Sequence, residues 1–314
     1  MSSSANSAWA RRIAALLSAA SLLIAAPALA DVKPWPASFR SQQLPVTDAT
    51  QYVRIGGSGP AVVLLHGFGD TGDMWEPLAE ILMKDHTVIV PDLRGMGLSS
   101  HPEGGYRKVD QGRDLASILD QLGIKQVALV THDIGNMVGY AFAAQYPSRT
   151  TKWVVMDAPL PGLGHWDDQL KNPKVWHFNF RGPDVERLVA GRERILLDRF
   201  YNELSANPAG IDEPTREHYA ALYARPQAIH NAFGGQFAAF ADDAVDNQKL
   251  LAKGKLKMPV FAIGGDHSYG GQLAGEIAFA AKDVRSGVIK NSGHWIMEEQ
   301  PDQAIALITT FLGK

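Results

Sequence analysis

Short, almost continuous runs of aliphatic residues alternate with amphipathic stretches along most of the chain. The runs lie at 61–65, 87–90, 126–130, 152–156 and 259–263, and the amphipathic stretches at 74–84, 110–122, 135–145 and 271–282. A strand that is apolar on both faces is typical of a parallel sheet, because helices cover both sides of such a sheet. The alternation therefore predicts an α/β fold with a mostly parallel, doubly wound sheet.

One interval, residues 161–250, departs from this alternation and is helical, irregular and rich in aromatic residues. About ninety residues is too long for a loop within a compact domain, so we expect an inserted helical cap. The core would then consist of residues 31–160 and 251–314. A cap over the carboxyl ends of the strands would enclose a substrate cavity.

The first thirty residues have the layout of a bacterial export signal. Arg11-Arg12 precede an apolar stretch at 13–26, and Ala28-Leu29-Ala30 supplies the small residues of a cleavage site. A membrane anchor is the alternative, but the stretch is short and rich in alanine for a span. We therefore expect an exported protein, in the periplasm or secreted, that begins at Asp31 and has no membrane span.

Composition narrows the possible partners. Lys and Arg number 30 and Asp and Glu 33, a formal net charge of −3, with no basic run that would hold a nucleic acid. The chain contains no cysteine, so even an exported form would be held together by its core and not by disulfides.

The run at 126–130 leads into Thr131-His-Asp-Ile-Gly135, directly before a helical pattern. A sharp strand-to-helix turn with small residues near its apex is typical of a nucleophile elbow, and the apex here is Asp133. The alternative is an aspartate that only caps the following helix. Taken alone, the motif supports either interpretation.

Two further segments favour the nucleophile. The run at 61–65 leads into a loop from which the N–H of Phe68, with that of Ile134, would form an oxyanion hole. Near the C-terminus, His294 follows the last predicted strand. Asp133, an acid and His294 would then follow one another along the chain in the order nucleophile, acid, histidine that this type of site requires.

The acid has two candidates. Asp157 directly follows the run at 152–156, and Asp266 follows the run at 259–263. An acid after the later strand usually lies about three residues past a glycine, and Asp266 is out of step with Gly264 and Gly265. We therefore predict Asp157 as the acid and Asp266 as a loop or capping residue.

Together these motifs resemble the epoxide hydrolase and dehalogenase branch of the α/β-hydrolase superfamily. The resemblance covers essentially the whole chain after residue 30, and its motifs are His66-Gly-Phe-Gly69, 91–99, His132-Asp-Ile-Gly135, 156–161, 176–180 and Gly293-His-Trp295. It implies the α/β-hydrolase fold and an exported homodimer. It also implies that His177, in the cap, helps to hold the epoxide oxygen.

The cap departs from the family pattern at one point. Epoxide hydrolases use a cap tyrosine as ring-opening donor, and Gln236 stands where that tyrosine is expected, with Gly235 as the neighbouring possibility. The Gln236 amide would then supply a second, neutral hydrogen bond to the leaving oxygen but no proton. Tyr219 and Tyr223, on the preceding cap segment, are possible substitutes.

A carboxylate nucleophile defines the reaction class. Attack of Asp133 on a saturated carbon that carries a leaving group gives an alkyl ester, which water activated by His294 then hydrolyses. An epoxide needs a donor for its alkoxide and a halide needs only weak donors. The donor His177 therefore favours epoxide hydrolysis, with haloalkane dehalogenation as the alternative.

Other functions are less well supported. A haloacid dehalogenase would resemble a version with arginine after the nucleophile, where this chain has Ile134 and Asn136. A non-catalytic binding scaffold is compatible with the fold, but the intact set of Asp133, His294 and an acid argues against it. We expect no cofactor and no metal, and a small-molecule epoxide as the partner.

Overall fold

The computed structural model describes residues 35–313 of the chain. The predicted export signal at residues 1–30, with its cleavage site, lies outside the described residues. No helix within 35–313 is long and apolar enough to cross a membrane.

The strands of the described chain form one sheet. Their bounds are β1 (Arg40–Val46), β2 (Ala49–Gly57), β3 (Ala61–Leu65), β4 (Thr87–Pro91), β5 (Val127–His132), β6 (Thr150–Met156), β7 (Val260–Gly265) and β8 (Val284–Ile289). The sheet order is β1-β2-β4-β3-β5-β6-β7-β8. Strands β1 and β2 pair antiparallel with their neighbours and every other pairing is parallel, which confirms the predicted fold class.

Helices cover both faces of this sheet. They are α1 (Glu76–Leu82), α2 (Lys108–Gln121), α3 (Ile134–Gln145), α4 (Trp166–Gln169), α5 (Pro183–Val189), α6 (Glu193–Leu204), α7 (Glu213–Tyr223), α8 (Ala228–His230), α9 (Phe240–Leu251), α10 (Gln272–Ile277), α11 (Ile296–Glu299) and α12 (Pro301–Leu312). Short 3₁₀ turns occur at Gly72–Trp75, Pro173–Asn179 and Pro208–Gly210, and Asn231–Phe237 is a π-helix.

The alternation of side chains along β3 divides the hydrophobic core into two layers. Val62 and Leu64 pack with α1 and α12, whereas Val63 and Leu65 pack with α2, α3 and the cap helices. Residues of β3 are buried on both faces because each face has its own helical layer.

The chain between β6 and β7 contains α4 to α9 and no strand among its described residues. We call this segment the cap; residues 161–250 were predicted to form it. Its aromatic side chains pack in edge-to-face pairs on the β3 loop, where Phe68 contacts Phe200, Phe233 and Phe237 at ring-centroid distances of 5.1–5.4 Å.

The sequence pattern missed the two antiparallel strands. No aliphatic run marks the segment preceding residue 47, yet β1 lies within it and pairs with β2. The reason is physical: β1 is an edge strand that is mostly exposed, so it lacks the aliphatic run of a buried strand.

Candidate active site

Asp133 occupies the turn between β5 and α3. Its backbone has φ 50° and ψ −121°, a positive-φ conformation that is strained for a residue other than glycine. Close packing enforces this turn, because a Cβ on Gly67 would collide with the Asp133 side chain and one on Gly135 with the Leu65 carbonyl. The Asp133 side chain makes no capping hydrogen bond to α3, which removes the main reason for the capping interpretation.

The β3 loop directs a backbone donor at this carboxylate. The N–H of Phe68 donates to Asp133 Oδ1 at 2.9 Å. Ile134 is the first residue of α3, where backbone N–H groups have no carbonyl partner within the helix. The two N–H groups predicted as an oxyanion hole therefore lie on the two loops that meet at Asp133.

His294 lies between two carboxylates. Its Nδ1 is 3.0 Å from Asp157 Oδ2, and its Nε2 is 3.9 Å from Asp133 Oδ2. Burial alone would lower the pKa of His294, but the hydrogen bond and charge of Asp157, with the charges of Asp133 and Asp70, raise it to about 9. The resting protein thus holds this imidazole as a cation at neutral pH.

Asp157 is fully buried and well supplied with donors. Its Oδ1 accepts the N–H of Gly265 at 3.1 Å, and its Oδ2 accepts the hydroxyl of Ser268 at 2.7 Å. Such donors stabilise the ionised form of a buried carboxyl. Ser268, which lies in the loop after β7, was not singled out from the sequence.

Asp266 is placed differently. Its side chain is exposed and accepts the N–H of Ser292, with Lys290 Nζ 3.8 Å away. Within the described chain no hydrogen bond or ion pair joins Asp266 to His294. The structure thus brings Asp157, and not Asp266, to the histidine.

His177 lines the same cavity as Asp133 and His294, a space of about 270 Å³. Its ring is 8% exposed and meets the edges or faces of Phe200 and Phe237 at 4.9 and 5.2 Å. Burial lowers the pKa of His177 to about 4, with the Asp133 charge opposing that change. The imidazole is therefore neutral at neutral pH, and its Nδ1 has no hydrogen-bond partner.

Gln236 does not join these residues, which corrects the prediction that it holds the leaving group. Its amide nitrogen donates to the carbonyl of Arg94 at 2.9 Å and its amide oxygen accepts from Gln111 Nε2 at 2.8 Å, away from the cavity. The next residue, Phe237, is the one that contacts His177 and Phe68. Both residues lie in the π-helix Asn231–Phe237, whose side chains follow a different register from those of an α-helix.

The predicted substitutes for the cap tyrosine are also engaged elsewhere. The hydroxyl of Tyr223 accepts the N–H of Gly69 at 2.8 Å. Another cap tyrosine, Tyr201, donates from its hydroxyl to the Gly69 carbonyl at 2.7 Å. Tyr219 lines a different cavity. The tyrosine that lines the catalytic cavity is Tyr269, after β7, whose hydroxyl lies 3.0 Å from Gln169 Oε1 in α4.

No group of three or more His, Asp or Glu side chains within residues 35–313 has the arrangement of a metal site. The side chains that converge on the cavity are those of an acid, a base and a nucleophile. Their arrangement suits nucleophilic substitution at carbon followed by ester hydrolysis.

Over residues 60–301 the chain matches the family of proteins with the α/β-hydrolase fold, and it belongs to that family. It is 30% identical over 257 residues to the soluble epoxide hydrolase of Corynebacterium sp. (strain C12), which covers 79% of this chain and 88% of that protein. It is 26% identical over 284 residues to a haloalkane dehalogenase of Mesorhizobium japonicum, covering 87% of this chain and 91% of that one.

Among solved structures, the Cif epoxide hydrolase from Acinetobacter nosocomialis superposes with a TM-score of 0.81. The two sequences are 26% identical, and the match covers 89% of this chain and 90% of the other. The protein is therefore an α/β-hydrolase similar to epoxide hydrolases and dehalogenases, as the sequence motifs predicted.

Proposed function

We propose that this protein is an epoxide hydrolase that converts an epoxide into a vicinal diol. The observation that carries the proposal is the nucleophile: an aspartate stands at the elbow, with the pair of His294 and Asp157 beside it. A carboxylate suits attack on a saturated carbon, whereas an attack on an ester would give only a reactive anhydride.

In the first step, Asp133 Oδ2 attacks one epoxide carbon and the bond from that carbon to the epoxide oxygen breaks. The electron pair of the broken bond passes to the oxygen, and a ring N–H of His177 donates a hydrogen bond to it. The product of this step is an ester between Asp133 and a β-oxygenated alkyl group.

In the second step, His294 removes a proton from water, and the oxygen of that water attacks the ester carbonyl carbon of Asp133. The N–H groups of Phe68 and Ile134 stabilise the resulting oxyanion. Collapse of this intermediate releases the diol and restores the carboxylate. The alkoxide oxygen takes the proton that His294 carries in the resting protein, and the proton removed from water restores that imidazolium, so that the sum is epoxide plus water to diol.

Ester formation also lowers the pKa of His294. In the resting protein the pKa of His294 is about 9, partly because of the negative charge on Asp133. Alkylation neutralises that charge, so the pKa of His294 falls and the imidazole becomes a competent base after the first step. The order of the two steps follows from the charges.

Haloalkane dehalogenation is the second candidate function. The observation that favours it is Phe237, a residue without a hydroxyl, at the position that faces His177 from the cap. A halide requires only weak donors to leave, and the ring N–H of His177 in the cavity is such a donor. One of the relatives described above is a haloalkane dehalogenase.

A substrate panel tests both functions. Small epoxides should yield diols, measured by chromatography, and haloalkanes of matched size should release little halide. Halide release without diol formation would make the protein a dehalogenase. If the protein turns over neither class of substrate, a non-catalytic binding scaffold would become the better interpretation.

We also propose export with cleavage after Ala30, and assembly as a homodimer. N-terminal sequencing of protein from periplasm or medium should begin at Asp31, and light scattering should give twice the mass of the mature chain. A secreted form that retains Met1, or a monomer at micromolar concentration, would contradict the respective proposal.

A further inference from the structure

The buried side and the solvent side of the catalytic cavity carry different charges. Asp133, Asp157 and His294 form the buried side, as two carboxylates and one imidazolium. No other acidic side chain of residues 35–313 lines the cavity. The catalytic groups together leave a net negative charge, so an anionic part of a substrate would be repelled from them.

Three cap residues, Gln169, Asn172 and Lys174, line the solvent side of the same cavity. Asn172 and Lys174 are exposed and Gln169 is half-buried. We call these three residues the donor wall. Lys174 lies three residues before His177, so about 11 Å is the longest distance that can separate their Cα atoms. A small substrate held by His177 is therefore within reach of the donor wall.

Contacts within the protein occupy the amide oxygens of the donor wall. The Oδ1 of Asn172 accepts the backbone N–H of Lys174 at 3.0 Å. An N–H only donates, so this contact identifies the oxygen and leaves Nδ2 to donate elsewhere. The Oε1 of Gln169 likewise accepts the hydroxyl of Tyr269 at 3.0 Å. Neither amide nitrogen has a hydrogen-bond partner among residues 35–313.

Lys174 supplies the positive charge of the donor wall. Its ammonium group forms no ion pair with an acidic side chain in the described part of the chain, whereas Lys171, three residues earlier, is paired with Asp168 at 2.9 Å. His267 also lines the cavity; it is exposed, and its Nε2 lies 3.9 Å from Asp266 Oδ1. The donor wall therefore offers one ammonium group and two amide NH₂ groups, and contains no carboxylate.

We propose that the donor wall is a subsite for an anionic oxygen group, so that the substrate is a short epoxide that carries a carboxylate or a similar acid. Ammonium and amide N–H groups bind such oxygens through charge-assisted hydrogen bonds. The acid binds at the donor wall and the epoxide lies at Asp133, because the net negative charge around Asp133 excludes the opposite orientation. The identity of the epoxide end rests on the proposed function, and the anion subsite does not.

The size of the cavity limits the length of this substrate. A space of about 270 Å³ lies just below the range of about 300–1,000 Å³ that is usual for small-molecule sites. Only a few carbons can therefore separate the epoxide from the acid. A long alkyl spacer would carry the acid past the donor wall into solvent, where Lys174 no longer stabilises it.

Matched pairs of substrates test the subsite. Terminal epoxides that end in a carboxylate, from 3,4-epoxybutanoate to 9,10-epoxydecanoate, are compared with the corresponding primary amides, which have the same size and no charge. The ratio of kcat/KM for acid over amide should be about 10 or more at one of the short lengths, the effect of one charged hydrogen bond, and close to unity at the longest. Equal values for acid and amide at every length would overturn the proposal.

Two substitutions alter the donors with little change of shape. Lys174→Met should lower the ratio about 10-fold. Asn172→Asp should lower it below unity, because this change keeps an oxygen for the N–H of Lys174 and replaces Nδ2 by a charged oxygen. The loss in each variant should appear mainly in KM, as expected for a contact that is equal in the ground state and the transition state.

Lys171→Met is the matched control. It removes another exposed cap lysine, which does not line the cavity, and should leave the ratio unchanged. A ratio that does not change in Lys174→Met, or that falls equally in Lys171→Met, would contradict the role of the donor wall.

Binding of a non-reactive acid separates this proposal from the proposed function. In an NMR titration at low ionic strength, hexanoate should bind the unmodified protein more tightly than hexanamide, and Lys174→Met should remove the difference. Binding of hexanoate by a protein that opens no epoxide would refute the proposed function alone. Epoxide turnover without a preference for the acid, and equal binding of hexanoate and hexanamide, would refute the subsite alone.

Discussion

The floor and the roof of the catalytic cavity each contribute a histidine, and the pKa values of these two histidines are shifted in opposite directions. His294, on the floor formed by the sheet, has its pKa raised to about 9 by neighbouring carboxylates. His177, in the cap that forms the roof, has its pKa lowered to about 4 by burial among aromatic rings. One cavity thus holds a cation beside its nucleophile and a neutral donor opposite it, because carboxylates neighbour His294 and aromatic rings surround His177.

The largest expected effect comes from the floor. Asp133→Asn should reduce epoxide turnover by about 10⁴-fold or more, because the nucleophile is lost. His294→Gln should instead stall after ester formation, and intact-mass analysis should show a substrate adduct on a peptide containing Asp133. Full turnover by Asp133→Asn would refute the carboxylate mechanism.

The next largest effect on the rate distinguishes the two candidate acids, Asp157 and Asp266. Asp157→Asn should lower the rate by roughly 10²–10⁴-fold, because His294 loses the partner that orients it and stabilises its cation. Asp266→Asn removes an exposed carboxylate and should change the rate less than about 2-fold, within the range of a surface substitution. Steady-state kinetics measures both, and the reverse ranking would assign the acid role to Asp266.

A third prediction concerns the roof. His177→Phe should lower the rate of epoxide opening by roughly 10²-fold through loss of the donor. Phenylalanine suits the aromatic surroundings, so the thermal unfolding midpoint should not fall. Single-turnover measurement of the adduct isolates this step. An unchanged rate of adduct formation would remove His177 from the mechanism and favour haloalkane substrates.

The opposite pKa shifts predict opposite dependences of stability on pH. The folded protein holds extra protons on His294 between pH 6.5 and 9, so this contribution, roughly 3 kcal/mol, is full below pH 6.5 and is lost as pH rises through 9. For His177 the unfolded chain binds more protons between pH 4 and 6.5. Its contribution, of similar size, therefore appears as pH rises through that window.

Denaturant unfolding of His294→Gln and His177→Phe against the unmodified protein measures these two windows. The free-energy difference between the unmodified protein and His294→Gln should shrink from pH 6.5 to 9. The free energy of unfolding of the unmodified protein, relative to that of His177→Phe, should rise from pH 4 to 6.5. Parallel pH profiles for all three proteins would show that the two environments do not differ.

The smallest effect is expected at Gln236. Gln236→Tyr should destabilise the protein by roughly 1–3 kcal/mol, because it removes buried hydrogen bonds to Arg94 and Gln111 and overfills the site. Epoxide opening per folded molecule should not increase. A gain in epoxide opening would mean that position 236 does reach the cavity.

The floor could be predicted from the sequence, whereas the roof could be predicted only in part. Buried parallel strands appear as aliphatic runs, and their carboxyl ends meet at one edge, so the positions of Asp133 and Asp157 followed from the runs that precede them. In the cap, a π-helix places Phe237 and not Gln236 against His177, and no periodicity in the sequence indicates that helix type.

Long-range contacts were also beyond the sequence. Tyr269 enters the cavity through the loop after β7, and Ser268 donates to Asp157 across more than one hundred residues of chain. Neither belongs to a spacing motif. The donors to a buried carboxyl can be recognised only when its surroundings are known.

The hydroxyls that bracket Gly69 constrain how substrate enters. From the cap, Tyr201 donates to the carbonyl of this residue and Tyr223 accepts its N–H, and the N–H of His294 donates to the cap carbonyl of Leu204 at 2.8 Å. A hinged swing of the cap would break these bonds and carry the oxyanion loop with it. Substrate should therefore enter while the cap stays in place, without a hinged opening.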